Sequence, residues 1–197
     1  MAKILAFAGS ARKDSLNKKL LKIVAAGAEA AGAHLTLVDL AEFEMPLFNQ
    51  DLETEAGMPD RAGEFKRLMI EHDGFLIASP EYNSAFSPLL KNTLDWASRA
   101  ESEDEPPLVA FRGKTAGILA TSPGGLGGIR GLVHLRMMLG NLGVIVMPEQ
   151  QAVPNGFQAF NDESSMSDEK LESRIRTLGG NLVQFTDRIK SSQSHPD

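Results

Sequence analysis

Five short apolar runs, separated by amphipathic stretches, constrain this chain more than any other feature. Residues 3–8, 34–39, 74–78, 115–120 and 144–147 have the length of buried strands rather than helices. Between them, Leu16, Leu20, Leu21, Val24 and Ala28 fall on one helical stripe, as do Leu89, Leu90, Thr93, Leu94 and Ala97. Alternation of this kind makes a parallel sheet covered on both faces by right-handed crossovers.

In a chain of 197 residues, five such strands suit an α/β, flavodoxin-like three-layer sandwich with a parallel sheet in the order 2-1-3-4-5. Ligands then belong at the strand carboxyl ends, where the order reverses between the first and third strands. A last helix is expected from the N-cap Ser167 to Lys190, with Leu171, Ile175, Leu178, Leu182, Phe185 and Ile189 inward. Residues 1–190 read as one domain and residues 191–197 as a flexible tail.

Composition narrows the chemistry. There is no cysteine, which removes thiolate nucleophiles, Fe–S ligation and thiolate zinc sites, so any redox chemistry needs a bound cofactor. A net charge of -6 argues against general nucleic-acid binding. The apolar amino terminus is too short to span a bilayer or to form a full signal core, so a cytoplasmic protein without membrane partners is expected.

The loop after the first strand reads Gly9-Ser10-Ala11-Arg12-Lys13-Asp14-Ser15-Leu16-Asn17. Hydroxyls of Ser10 and Ser15, the Asn17 amide, the Arg12 guanidinium and free N–H groups where Leu16 opens the helix are the parts of an anion site. Neither a dinucleotide fingerprint nor a P-loop is present, so a monophosphate fits better. The competing reading makes Ser15 a helix cap and leaves Arg12 and Lys13 solvated.

After the third strand, Ser79-Pro80-Glu81-Tyr82-Asn83 precedes Ser84-Ala85-Phe86-Ser87-Pro88, where Ser87-Pro88 is a helix start. Tyr82 is the only tyrosine. Beside the Asn83 amide it offers a flat heterocycle a stacking surface, with backbone contacts from Pro80 and Glu81. Alternatively, Tyr82 and Phe86 pack onto the domain's own surface. After the fourth strand, Thr121-Ser122-Pro123-Gly124-Gly125-Leu126-Gly127-Gly128 lets bare backbone approach a ligand edge. N–H donors there would stabilise negative charge on a reduced flavin, unless the stretch is only a flexible turn. Flavin mononucleotide, FMN, satisfies all three loops.

A rival stands at the same place, since Ala120-Thr121-Ser122-Pro123-Gly124 imitates a hydrolase nucleophile elbow. Its histidine is hard to supply: His34 and His72 precede Ser122, His134 lies in the next helix, and His195 is in the tail. The acidic stretch Glu101-Ser102-Glu103-Asp104-Glu105-Pro106-Pro107 reads as a solvated surface loop without chemistry.

Taken together, these loops resemble the NADPH-dependent FMN reductase family, particularly its quinone and chromate reductase branch. The first loop is similar to the family's phosphate loop, which implies Ser10, Arg12, Ser15 and Asn17 as phosphate ligands. The loop 79–83 is similar to its flavin-ring loop, closed by Leu90-Lys91-Asn92-Thr93-Leu94-Asp95-Trp96. Pro46-Leu47-Phe48-Asn49-Gln50-Asp51-Leu52-Glu53 resembles a segment that builds the dimer wall, and Leu132-Val133 replaces the branch's frequent Gln-Tyr.

The resemblance implies FMN as cofactor, NAD(P)H as co-substrate, and a quinone, free flavin, azo compound or metal oxyanion as small-molecule electron acceptor. The expected cofactor-binding set is Ser10, Arg12, Ser15, Leu16, Asn17, Pro80, Glu81, Tyr82, Asn83, Ser122, Gly124 and Gly125, with no side chain as obligatory acid or base. An electron carrier without turnover is the alternative. A homodimer or homotetramer is expected by resemblance, and Phe48 and Phe86, read as exposed, would lie under a second subunit.

Overall fold

A computed structural model describes residues 1–161 and 165–193. The strands are β1 (Lys3–Ala8), β2 (His34–Val38), β3 (Gly74–Ala78), β4 (Thr115–Thr121) and β5 (Ile145–Val153), hydrogen-bonded in parallel in the order β2-β1-β3-β4-β5. The intervening helices are α1 (Leu16–Ala30), α2 (Gln50–Ala56), α3 (Asp60–Glu71), α4 (Pro88–Ala97), α5 (Ile129–Asn141), α6 (Gly156–Ala159) and α7 (Glu169–Gln193). This is the flavodoxin-like sandwich read from the sequence. None of the helices is long and apolar enough to cross a membrane among the described residues.

Strand alternation divides the core into two layers. Ile4, Ala6 and Ala8 of β1 pack with α1 and α7 through Leu20, Val24, Ile175 and Leu182. Leu5 and Phe7 face α3, α4 and α5 through Phe65, Leu90 and Leu135. On that second face Phe7, Phe43, Phe65 and Phe75 meet edge to face, with ring centroids 5.2 to 6.4 Å apart.

The fifth strand runs six residues past its expected end at 147, through the polar stretch Pro148-Glu149-Gln150-Gln151 to Val153. Pairing jumps from Ala116 opposite Val146 to Ile118 opposite Gln150, so β5 bulges away from β4 at Pro148. Arg136 from α5 fills the gap, its guanidinium donating to the carbonyls of Val146, Met147 and Pro148 and to Gln150 Oε1. An edge position tolerates the proline, and the arginine satisfies the carbonyls that the bulge frees.

Three further expectations change. The last helix is capped by Asp168, which accepts from Lys170 N and Leu171 N, while Ser167 Oγ donates to Gln158 O. That helix continues to Gln193, and the rest of the expected tail, 194–197, lies outside the described residues. The acidic loop is not merely solvated: Glu105 and Glu101 neutralise Lys66, whose side chain is 1% exposed and whose Nζ also donates to Arg99 O. A buried ammonium needs such partners, and nothing local in the sequence marks Lys66 as buried.

Phe48 and Phe86 are half-buried rather than exposed. Phe48 packs edge-on against Trp96 with ring centroids 5.1 Å apart, and the Arg99 guanidinium carbon lies over the Phe48 ring, 5.4 Å from its centroid. Its N–H donates to Asn92 Oδ1, while Pro46 O accepts from Asn92 Nδ2 and Trp96 Nε1. Asn92 and Trp96 of α4 thus hold the segment after β2.

Candidate functional site

Three loops leave the carboxyl ends of β1, β3 and β4, which are neighbours in the sheet. In the first, residues 9–15, Ser10 and Ser15 are almost fully buried and Arg12 is exposed. Ser15 is the N-cap of α1 and its Oγ accepts from Lys18 N, so the capping reading holds for this residue. The first backbone bond to the cap is Lys19 N to Ser15 O at 3.1 Å, which leaves the Leu16 and Asn17 N–H groups ahead of the helix ladder. The positive end of the α1 dipole adds to them.

Asn17 has a different employment from the one expected. Its Nδ2 donates to Thr121 O and its Oδ1 accepts from Thr121 N, both at 3.0 Å and both buried. It stitches the start of α1 to the end of β4 through one Nδ2 hydrogen and Oδ1, so its side chain braces the first loop against the third.

The second loop contains a hairpin that the sequence reading lacks. Glu81–Tyr82 pairs antiparallel with Ala85–Phe86 around Asn83 and Ser84, both at positive φ, 50° and 72°. Asn-Ser between an aromatic pair was the available signal, but strands of two residues carry no periodicity. Tyr82 is 49% exposed. Ser87 caps α4 with Pro88 at its first turn, as the sequence implies, and its Oγ also donates to Gly9 O at 2.6 Å. The Glu81 carboxylate accepts from Arg130 N and Gly131 N at the head of α5 and pairs with the Arg130 guanidinium.

In the third loop, residues 122–128, the chain from Pro123 to Leu126 is exposed. A side chain added at Gly125 would meet nothing within 4 Å, and one at Gly124 only Ser122 Oγ at 3.9 Å. Backbone there is open to a ligand edge. Gly156 N donates to Ser122 O and Asn155 N to Gly124 O, so the residues after β5 underpin the loop.

Among the described residues the hydrolase alternative lacks its base. Ser122 Oγ donates to Gly124 O, His134 is exposed on α5, and both His72 ring nitrogens are engaged by Leu68 O and Thr36 Oγ1. His195 lies outside the described residues.

The sequence model of the NADPH-dependent FMN reductase family matches residues 2–158, a span that holds all three loops. The chain belongs to that family. It is 34% identical over 195 residues to an NADPH:quinone oxidoreductase of Arabidopsis thaliana, across 96% of this chain and 94% of the relative. An NAD(P)H-dependent FMN reductase of Pseudomonas aeruginosa is 34% identical over 175 residues, 88% and 89% of the two chains. Among solved structures, FerB from Paracoccus denitrificans, a flavoenzyme NAD(P)H:(acceptor) oxidoreductase, is similar with TM-score 0.79 and 28% identity, over 95% of this chain and 98% of that one.

FMN, which the family name implies, suits the donors of this member. No side-chain nitrogen or oxygen is buried without a partner among the described residues. The groups that would meet a ligand are hydroxyls able to turn, the exposed Arg12, helix-start N–H groups and the open backbone at Gly124 and Gly125. That set has cationic and N–H donors for a phosphate and uncharged donors for a polar ring edge.

Proposed function

We propose that this member of the NADPH-dependent FMN reductase family binds FMN across the mouths of the three loops and reduces quinone-type acceptors with NAD(P)H. The observation that carries the reading is the gathering of these loops at the ends of adjacent strands, inside the span that the family model matches. Bound FMN supplies the two-electron relay between nicotinamide and acceptor, which a cysteine-free chain has no side chain to perform.

The protein's part is binding and orientation. Ser10, Arg12 and the N–H groups of Leu16 and Asn17 hold the phosphate end, with Ser15 fixing the start of α1. Tyr82, Asn83 and the backbone of Pro80 and Glu81 line the ring. Backbone N–H groups of Gly124 and Gly125, with the Ser122 hydroxyl beside them, meet its polar edge, where negative charge develops on reduction. A homodimer or homotetramer completes the shallow crevice, the exposed Leu47 beside Phe48 being the surface offered to a second copy.

Two measurements test this. Calorimetric titration with FMN gives saturable one-to-one uptake, and steady NADPH consumption with a benzoquinone follows parallel-line, ping-pong kinetics. Absence of uptake overturns the reading; uptake with a single stoichiometric bleach of the flavin and no turnover makes the protein an electron carrier instead.

A further inference from the structure

Glu81 sits beside Tyr82 in the sequence, yet its side chain is only 8% exposed and its oxygens are engaged by α5. We propose that Glu81 is a positioning residue, whose carboxylate replaces the missing N-cap of α5 and so locks the hairpin of Tyr82 against the glycine loop, fixing the opening that receives the flavin ring. The proposal rests on the FMN reading above and says how the ring end of that site is built.

The need for such a lock is physical. A hairpin of two residues per strand has no independent stability in water, so its place must be set from outside. At its far end Ser87 ties the following turn to Gly9 O. At its near end Glu81 is the tie. On the other side, α5 begins at Gly128, in left-handed conformation at φ 88° with no side chain to cap the first turn. Glu81 Oε2 accepts from Arg130 N at 3.1 Å and Gly131 N at 3.3 Å, two donors that a helix start leaves without partners.

Close approach is permitted by the glycines opposite. A side chain at Gly128 would lie 2.8 Å from Ala120 Cβ and 3.7 Å from Glu81 Cβ, and one at Gly131 would lie 3.2 Å from Ala85 O. The two backbone bonds, not the ion pair, carry the effect. Arg130 is 58% exposed, and an ion pair with one exposed partner is screened, whereas a shielded carboxylate on a helix start is not.

The clasp closes a triangle. Ser87 joins the first and second loops, Asn17 joins the first and third, and Glu81 joins the second and third. Removing Glu81 frees the ring end while Asn17 and Ser87 still hold the phosphate end.

The test uses Glu81→Ala, Glu81→Gln and Arg130→Ala. Affinities for FMN and riboflavin are read by fluorescence titration, and the flavin-free protein carries 3-fluorotyrosine, whose single fluorine line reports Tyr82, the only tyrosine. Glu81→Ala weakens FMN and riboflavin equally, by roughly tenfold, and broadens or splits the line. Glu81→Gln retains an acceptor for the helix, stays within about threefold of wild type and keeps one narrow line, as does Arg130→Ala.

Unchanged affinities and line in Glu81→Ala overturn the proposal. So does loss of FMN with riboflavin spared, which would put Glu81 at the phosphate, or a Gln variant as weak as the Ala variant with an unchanged line, which would make the charge act on the ring directly. Should Glu81→Ala fail to fold, the same readouts apply to Glu81→Asp, which keeps the charge but falls one methylene short and behaves as expected for Ala. A wild-type protein that binds neither flavin overturns the functional reading alone, and the fluorine line still decides the clasp.

Discussion

Arg12 is the one guanidinium in the first loop and it is exposed, so its value to a bound phosphate is that of a charge-assisted hydrogen bond with little packing behind it. Arg12→Ala is expected to weaken FMN by about 1.5–3 kcal/mol, roughly a factor of ten to a hundred or more, and to leave riboflavin affinity unchanged in the same calorimetric titration. Asn17 works in the opposite way. Asn17→Ala strands the N–H and carbonyl of buried Thr121, at a cost of about 2–3 kcal/mol in urea unfolding. Asn17→Asp keeps the acceptor for Thr121 N but loses the donor to Thr121 O, and falls between. The sequence offered both residues as phosphate ligands because amide and guanidinium look alike beside an anion loop. Only the distance to a residue 104 positions away separates their roles.

Among the elements, α1 and α7 approach each other closely. A side chain at Gly27 would stand 2.0 Å from Arg176 O, and one at Gly179 would stand 2.1 Å from Val24 O, so the helices touch through backbone. Both glycines cost helix propensity, about 1 kcal/mol each, in return for that contact. Gly179→Ala therefore recovers the propensity but forces the helices apart, with a net loss of about 3 kcal/mol and a melting temperature lower by roughly 10 °C in calorimetry. A neutral or raised melting temperature would mean that α7 can shift outward freely. The buried stripe of α7 was legible in its period, with Ile175, Leu178 and Leu182 all buried, whereas the hairpin, the bulged end of β5 and the Lys66 clamp were not. Each depends on partners distant in the chain: α5 for Glu81, Arg136 for the bulge, Glu105 for Lys66.

For the molecule as a whole, the end of the sheet opposite the loops is closed by charges. Asp73 accepts from Lys3 N and from Lys190 Nζ, and Lys114 Nζ donates to the carbonyls of Ile70 and His72. Burial alone would raise the Asp73 pKa, but Lys190, the Lys3 N–H and the charge of Lys114 outweigh it, and the carboxyl titrates below its ordinary value. A carboxyl depressed in the folded state adds stability above its unfolded pKa, about 4, and loses it as pH falls through the lower folded value. Asp73→Asn is thus expected to lower the melting temperature at pH 7 and to flatten its decline in acid; parallel pH profiles for the two proteins would exclude this role. Period and spacing alone determined the layer order, the five strands, the capped starts of α1 and α4 and the three loops that face one edge, because those depend on neighbours within a few residues. The tertiary structure decided which polar groups remain for a ligand, since the nearest partner of Asn17, Glu81 or Lys66 is supplied by packing from elsewhere in the chain.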